Sequence, residues 1–457
     1  RKLTPMSAPP APDTIAAVAT PPGIGGVGIV RISGPNAPEI ARALLGRLPA
    51  ARHASFSRFR GADGSTLDEG LALYFPAPHS FTGEHVLELH GHGGPVVLDL
   101  LLQAVLAHGA RPARPGEFSE RAFLNGKLDL AQAEAIADLI ERASAEAARA
   151  ALRSLQGAFS QRVRAINEHL IGLRLHIEAA LDFPEEEIDF LADESPSQQA
   201  HRLTGEVDTL LADTRQGQLL HDGMTVVLAG RPNAGKSSLL NALAQHDSAI
   251  VSPVPGTTRD ILRERIQIDG LPLHVLDTAG LRESNDAIES EGVRRAHDAM
   301  RRANRVLLVI DDNEEHADSV RTLIAQLPAG AGITLVRNKI DRSGRAAGAV
   351  AEKTEIPEIA ISAQNGSGLD ALRAHMKECM GYQAAGEGTF SARRRHIDAL
   401  ERVRAHLKTS LSQLAARRAE LAAEELRQAQ QALGEITGEF TSDDLLGRIF
   451  SSFCIGK

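Results

Sequence analysis

The chain has 457 residues, enough for about three domains of ordinary size. Hydrophobic residues make up 43% and charged residues 24%, which excludes a mostly disordered or fibrous chain. Lys and Arg total 50 against 59 Asp and Glu, a formal charge of −9, so no bulk positive field draws a polyanion and any nucleic acid must meet a local patch. The strongest apolar run, Val306-Leu-Leu-Val-Ile310, is closed by two aspartates and falls short of the roughly 18 residues of a membrane span. Two cysteines, Cys379 and Cys454, are too few for a disulfide framework and fit a reducing cytoplasm. Met6 reads as the natural start, and the residues around it lack the apolar core of a signal peptide.

From Thr14 to Phe123, short apolar segments alternate with Pro and Gly. Thr14–Ala19, Gly28–Ile32, Gly70–Phe75 and His85–Leu89 are predicted strands, and Gly94-Pro95 opens a helix over Val96–His108. Gly23-Ile-Gly-Gly-Val-Gly28 has the spacing of a dinucleotide fingerprint, but a strand rather than a helix follows it, so NAD or FAD binding is rejected. His85, His90 and His92 suggest a metal only superficially, because His90-Gly-His-Gly-Gly94 reads as a turn opening the helix.

From Lys127 to Leu181 the chain is rich in Ala, Leu, Glu and Arg at helical spacing, with only Gly157 and Gly172 inside, which predicts long helices. Phe183-Pro-Glu-Glu-Glu187 interrupts them, and a further helix is expected over Ser195–His221. From Met224 to Gly381, β-rich apolar segments alternate with helices, the pattern of a parallel sheet with crossovers. The helical texture then returns: Ser391–Leu433 predicts one or two long helices, and Ser442–Phe450 follows. Like composition on both sides of the α/β block predicts that it is inserted into one helical domain. The expected fold class is multidomain, α/β plus all-α, with an α/β domain over 1–125, a helical domain over 126–221 and 382–457, and the inserted block over 222–381.

Met224–Ala229 predicts a buried strand running directly into Gly230-Arg-Pro-Asn-Ala-Gly-Lys-Ser237 and the helical Ser238–Leu243. Glycines there let backbone N–H groups wrap phosphates, Lys236 reaches the β and γ oxygens, and the Ser237 hydroxyl suits Mg²⁺ at a helix N-terminus. A plain glycine turn before a helix would explain that spacing alone, but three more elements follow in order. A hairpin turning at Asp269-Gly270 leads to Asp277-Thr-Ala-Gly280, where Asp277 suits the magnesium shell and the Gly280 N–H suits a γ-phosphate. The strand Ile333–Arg337 ends in Asn338-Lys-Ile-Asp341, and the Asp341 carboxylate accepts both guanine N–H donors, which adenine lacks. The strand Glu358–Ile361 ends in Ser362-Ala363, whose backbone suits guanine O6. The block resembles a Ras-like P-loop GTPase domain, which implies GTP and Mg²⁺.

Where Ras-like switches commonly carry the glutamine that orients the attacking water, this chain has Leu281. Other groups must orient the water and offset charge on the β–γ bridge. The sequence offers Asn233 in the phosphate loop and the Pro- and hydroxyl-rich loop Ile250–Asp260, suited to hold a monovalent cation.

Asn233, Gly256-Thr-Thr-Arg-Asp260 and the closing Phe453-Cys-Ile-Gly-Lys457 together are similar to the MnmE (TrmE) family of tRNA wobble-uridine modification GTPases, over the whole chain and its inserted domain order. The resemblance implies a homodimer with K⁺ between the two GTPase domains, held by Asn233, Ser252, Val254 and Thr257, and Mg²⁺ held by Ser237 and Thr258. Ser252 stands where the family often has threonine and keeps the hydroxyl, and Val254 offers only a carbonyl. Glu289, in Asp286-Ala-Ile-Glu289, would orient the attacking water through a second one, with Lys236 as a further catalytic residue. The GTP-contacting positions would be Asn233, Ala234, Gly235, Lys236, Ser237 and Ser238, then Ser252, Pro253, Val254, Pro255, Gly256, Thr257 and Thr258. Asp277, Thr278, Ala279 and Gly280 would follow, with Asn338, Lys339, Asp341, Ser362 and Ala363 at the base.

The same resemblance implies a folate-binding-like, dimerising N-terminal domain. Arg31, Glu88, Lys127 and Lys457 would contact a tetrahydrofolate derivative, the 5-formyl or 5,10-methylene form, as one-carbon donor. Cys454 would be a catalytic thiol, a buried small apolar residue being the plain alternative. A MnmG (GidA)-type flavoprotein holding FAD would complete a heterotetramer, with tRNA as substrate, a cytoplasmic location and no membrane. Arg393-Arg-Arg395 with Arg402, Arg404 and Lys408 offers either a basic face for tRNA phosphate or a solvated helix surface. The rival class is a ribosome-assembly GTPase switch, which would bring a second GTPase domain or an RNA-binding module.

Overall fold

The computed structural model describes residues 13–141, 144–182, 195–246, 263–277, 297–314, 316–350, 356–382, 389–440 and 443–456. They fall into two compact units, 1–137 with 430–457, and 138–429. Met6 and the break expected at Phe183–Glu187 lie outside the described residues.

The first unit contains β1 (Thr14–Val18), β2 (Gly25–Ser33), α1 (Ala37–Leu45), β3 (Ser55–Arg60), β4 (Thr66–Phe75), β5 (Val86–Gly93), α2 (Pro95–Ala107), β6 (Ala110–Pro112), α3 (Glu117–Leu124) and the start of α4 (Leu130–Glu141). Its strands form one sheet in the order β3-β4-β5-β2-β1-β6, antiparallel except for β1 beside β6. Alternate strand residues Val30, Ile32, Ala72, Tyr74, Leu87 and Leu89 are buried together with Ile40 and Leu44 of α1 and Leu98 and Leu101 of α2. The two-residue period of a strand therefore sends Arg31 and Glu88, which are directly paired across β2 and β5, to the opposite face. The α4 residues Leu130, Ala133 and Ala137 pack with Ile449, Phe450 and Phe453 near the chain's end.

The structure departs from the sequence pattern at two places. His90-Gly-His-Gly-Gly94 is not a turn: β5 runs through Gly93, pairing Gly91 with Gly28 and Gly93 with Gly25. The glycines serve close approach, since a Cβ on Gly93 would lie 2.6 Å from the Gly25 carbonyl oxygen. The strand β3 was not predicted, because Phe56 faces outward at 67% exposure while Phe59 is buried, which breaks a two-period apolar signal.

The second unit holds the rest of α4, then α5 (Ala145–Leu155), α6 (Ala158–Asp182) and α7 (Pro196–Asp222). The helical run therefore breaks at Gly157 but passes through Gly172. The start of α7 is fixed by Pro196 and by a reciprocal capping box in which Ser195 and Gln198 each bond the other's backbone N–H. Next come β7 (Met224–Ala229), α8 (Lys236–His246), β8 (Arg263–Ile268), β9 (Leu271–Asp277), β10 (Arg305–Asp311), α9 (Ala317–Ala325), β11 (Ile333–Asn338), α10 (Ile340–Ser343), β12 (Gly348–Ala349), β13 (Glu358–Ala360) and α11 (Leu369–Met380). The helices α12 (Arg394–Ala415) and α13 (Ala419–Thr437) follow, broken at Arg417, whose φ is 58°, and α14 (Asp443–Ser451) belongs to the first unit.

The second sheet has the order β12-β13-β11-β10-β7-β9-β8. Its central strands are parallel and its edge strands antiparallel. Because β7 is first in sequence yet lies between β10 and β9, the strand order reverses there, and the crevice at the carboxyl ends of β7 and β10 is where a doubly wound sheet receives its ligand. The predicted hairpin is formed by β8 and β9, with Asp269 and Gly270 both at positive φ, 47° and 85°, as a tight two-residue turn requires. No helix among the described residues is long and apolar enough to cross a membrane.

Candidate functional site

The loop after β7 is shaped by its own residues. Lys236 is buried, and its Nζ donates to the carbonyl oxygens of Gly230 at 2.8 Å and Arg231 at 2.9 Å, so the ammonium is held inside the loop it closes. Asn233 has a φ of 63° and Gly235 of 96°, which turns successive backbone N–H groups toward one concavity. Gly235 cannot carry a side chain, since a Cβ would lie 2.2 Å from Asn338 Nδ2. Ala234 is buried beneath the loop, while Ser237 and Ser238 are exposed on the first turn of α8. The N-terminal turn of a helix, a buried cation and an exposed hydroxyl together are a donor set that fits a polyphosphate and its divalent ion.

Asn338, at the end of β11, ties the base side to the phosphate side. Its Nδ2 donates to Ala234 O at 3.0 Å, and its Oδ1 accepts from Lys339 N at 2.8 Å and Ala363 N at 3.0 Å. The Ala363 amide expected at guanine O6 is thus engaged with Asn338. Lys339 is left-handed, φ 66°, and its Nζ donates to Asp311 Oδ2 at 2.6 Å. Burial pushes the Asp311 carboxyl up, but the Lys339 and Asn313 hydrogen bonds outweigh it and hold the group below the usual carboxylate range. Ser362 Oγ donates to Asp341 Oδ1 at 2.6 Å, which orients the carboxylate and leaves its other oxygen for a base edge. Asp311 was not singled out from the sequence as a site residue. Its signal was there, since it is the first of two aspartates closing the apolar run of β10.

Asp277 ends β9 at the same edge of the sheet. The other residues expected around the nucleotide, Ser252, Pro253, Val254, Pro255, Gly256, Thr257, Thr258, Thr278, Ala279, Gly280, Leu281 and Glu289, lie outside the described residues, as does Lys457.

In the first unit Arg31 and Glu88 are brought together as one group. Arg31 Nε donates to Glu88 Oε1 at 2.9 Å, and its NH1 donates to Gly456 O at 3.3 Å. The Arg31 guanidinium lies 5.9 Å from the Phe81 ring centroid and 5.8 Å from that of Phe118. The second Glu88 oxygen is 3.1 Å from His90 Nε2. His92 pairs with Asp68 and His85 with the Tyr74 hydroxyl, so each of the three histidines has its own partner rather than a common centre. Lys127 is exposed and donates to Pro78 O at 3.1 Å. Cys454 is exposed with a free thiol, while its carbonyl accepts from Gly116 N at 3.3 Å; the alternative of a buried apolar residue does not hold.

A sheet with a parallel centre, a phosphate-type loop after its first strand and an Asn-Lys-x-Asp element after β11 define a Ras-like P-loop GTPase fold set among helices. Residues 130–454 match the family model described as the MnmE helical domain, and residues 14–127 match that of the GTP-binding protein TrmE N-terminus. The tRNA modification GTPase MnmE of Stutzerimonas stutzeri (strain A1501) is 60% identical over 453 residues, 98% of this chain and 100% of the relative. The protein of that name from Marinobacter nauticus (strain ATCC 700491 / DSM 11845 / VT8) is 57% identical over 454 residues, 98% and 100% of the two chains. Among solved structures, Aquifex aeolicus Era bound to GDP·AlF4⁻ covers 41% of this chain and 67% of its own at 26% identity, with a TM-score of 0.27, too low to weigh on the fold. The chain belongs to the MnmE (TrmE) family.

Proposed function

We propose that this chain is a GTP hydrolase of tRNA modification, activated by K⁺ and by pairing of two GTPase domains. In this reading it works with a MnmG (GidA)-type flavoprotein to place an aminomethyl or carboxymethylaminomethyl group at C5 of the wobble uridine of certain tRNAs. The observation that carries the GTPase part is the bond from Asn338 to Ala234, which joins a guanine-type Asn-Lys-x-Asp element to a phosphate-type loop in one crevice.

In this reading the loop N–H groups from Asn233 to Ser238 bind the phosphates, and Lys236 bears on the β and γ oxygens. Asp341, oriented by Ser362, accepts the guanine N–H donors. Ser237 and Thr258 would hold Mg²⁺, with Asp277 suited to its shell, and Asn233, Ser252, Val254 and Thr257 would hold K⁺. The two ions would supply positive charge against the β–γ bridge. Glu289 orients the attacking water through a second one, in place of the glutamine that Leu281 replaces. Residues 222–381 form the GTPase domain, set between the two helical segments 126–221 and 382–457, and residues 1–125 form the dimerising domain.

The Arg31–Glu88 group fits a tetrahydrofolate derivative: a guanidinium suits the glutamate tail and a carboxylate suits pterin N–H donors, with Lys127 and Lys457 adding charge. A ligand taking over Glu88 would exchange its present bonds to Arg31 and His90. Cys454 stands on the same chain end as Gly456, whose carbonyl meets Arg31, and its exposed thiol is available for chemistry there. FAD belongs to the partner, and the location is cytoplasmic.

The test is GTP turnover in KCl against NaCl, with Glu289→Ala alongside. Faster turnover in KCl, and loss of turnover with GTP still bound in the variant, are expected; equal rates in both salts remove the cation role. Mass spectrometry of wobble uridines from a deletion strain separates the tRNA reading from a ribosome-assembly switch, which would leave the modifications intact.

A further inference from the structure

The β8–β9 hairpin lies in sequence between two of the stretches that the nucleotide reading uses. In sequence, β8 follows the Ile250–Asp260 stretch, and β9 ends at Asp277, the first residue of Asp277-Thr-Ala-Gly280. The two strands keep one continuous register from Arg263 opposite Leu276 to Ile268 opposite Leu271. A displacement at either flanking stretch therefore reaches the turn as movement of a paired ribbon rather than being lost between loose strands.

That turn is gripped from both sides. Asp269 is bonded by Arg373 at 2.7 Å and Lys377 at 2.5 Å, both on α11 of the GTPase fold. On the other side, the Gly270 carbonyl accepts the Ser144 hydroxyl at 3.0 Å, a buried bond spanning 126 positions of sequence. Ser144 is also the N-cap of α5, its Oγ accepting from Ala147 N at 3.2 Å. The fit is close, for a Cβ on Gly270 would lie 2.5 Å from Glu146 Cγ. The helix α5 meets the chain again where it leaves the GTPase fold. Ala150 O accepts from Ser391 N at 3.2 Å, Ser154 Oγ donates to Ser391 O at 2.9 Å, and Ala150 itself is buried in the GTPase core.

We propose that Ser144 is a positioning residue that passes nucleotide-dependent movement of the β8–β9 turn to α5, so that the helical segment registers GTP against GDP through this one hydroxyl. The inference rests on the GTPase reading given above. The hydroxyl does two things, accepting from Ala147 N and donating to Gly270 O, and substitution separates them. Aspartate keeps the cap but has no proton to donate, whereas asparagine can both cap and donate.

The experiment follows backbone hydrogen exchange across α5 in the full chain with GDP and with the non-hydrolysable imido analogue of GTP, next to nucleotide affinity and GTP turnover. In the unsubstituted chain the exchange of α5 should differ by about fivefold or more between the two nucleotides. Ser144→Asp should abolish that difference, Ser144→Asn should retain it, and both should bind and hydrolyse GTP normally. If Ser144→Asp speeds exchange equally in both nucleotide states and leaves the difference intact, the hydroxyl is only a cap and the proposal is overturned. An α5 indifferent to nucleotide in the unsubstituted chain overturns it as well. Failure of that chain to bind GTP would sink the GTPase reading first, and the affinity measurement reads this separately.

Discussion

Asn338 Nδ2 donates to Ala234 O at 3.0 Å across 104 positions of sequence, so the side chain that ends β11 also fixes the floor of the loop after β7. The two halves of the nucleotide crevice are therefore one hydrogen-bonded object, and damage at Asn338 should be felt at the phosphates.

Asn338→Ala removes one donor and one doubly used acceptor, stranding Ala234 O, Lys339 N and Ala363 N. Each buried group left unpaired costs roughly 1–3 kcal/mol, so GDP affinity should fall by at least about tenfold in a fluorescent-nucleotide titration. Gly235→Ala should give a similar loss from the other side, because its φ is 96° and its Cβ would strike the same Nδ2. An affinity unchanged in both variants would contradict the shared floor.

Asp341→Asn tests base selection. The Ser362 hydroxyl would keep one side of residue 341 as acceptor and turn the new amide N–H₂ toward the base, where guanine also presents donors. GTP affinity should fall by about a hundredfold or more, while xanthosine triphosphate, with a carbonyl at that edge, should bind better than GTP. Competition between the two nucleotides gives the answer.

Asp269 links the hairpin turn to α11. The Lys377 hydrogen bond, opposed by partial burial and aided by Arg373, holds its carboxyl below the usual carboxylate range. The Asp269 side chain is 41% exposed, so screening limits the loss on Asp269→Ala to about 0.5–1.5 kcal/mol, plus a small strain term for an alanine at positive φ. Urea unfolding should show this shift, and Asp269→Asn should show less of it.

Acid should weaken the first unit through Glu117. Burial pushes this carboxyl up, but Arg111 and the Arg114 amide outweigh it and hold it below the usual carboxylate range. Asp13 is likewise lowered by Arg111 and Arg121 against its burial. Groups with depressed folded-state values stabilise the fold above the unfolded value, about 4, and lose that contribution as pH falls through their lower native values. Stability should therefore be flat near neutrality and drop below about pH 4, and Arg111→Met should make that drop shallower. A denaturation series across pH reads both.

The parts of the fold carried by local pattern were legible in the sequence. The strand, loop and helix around Lys236 and the turn at Asp269-Gly270 stand where spacing and turn chemistry put them. The helical run on either side of Arg417 was legible only as one or two helices, because no glycine or proline marks the break. The outward-facing Phe56 hid β3, and the glycines of β5 imitated a turn because their purpose lies in a neighbouring strand. At the candidate site, residue types were legible but partnerships were not. Nothing in the spacing told that Asn338 would bond Ala234, or that Asp311 would hold Lys339, since both depend on which strands become neighbours.

The helix α5 also sets a schedule for synthesis. Its Ser154 bond to Ser391 closes over 237 positions, and Asp138 before it accepts from Ser391 over 253. At about 5–20 residues per second, a ribosome that has finished α5 needs on the order of 10–50 s more before Ser391 exists. The nascent α5 must wait that long for this partner, while the whole intervening GTPase segment is made.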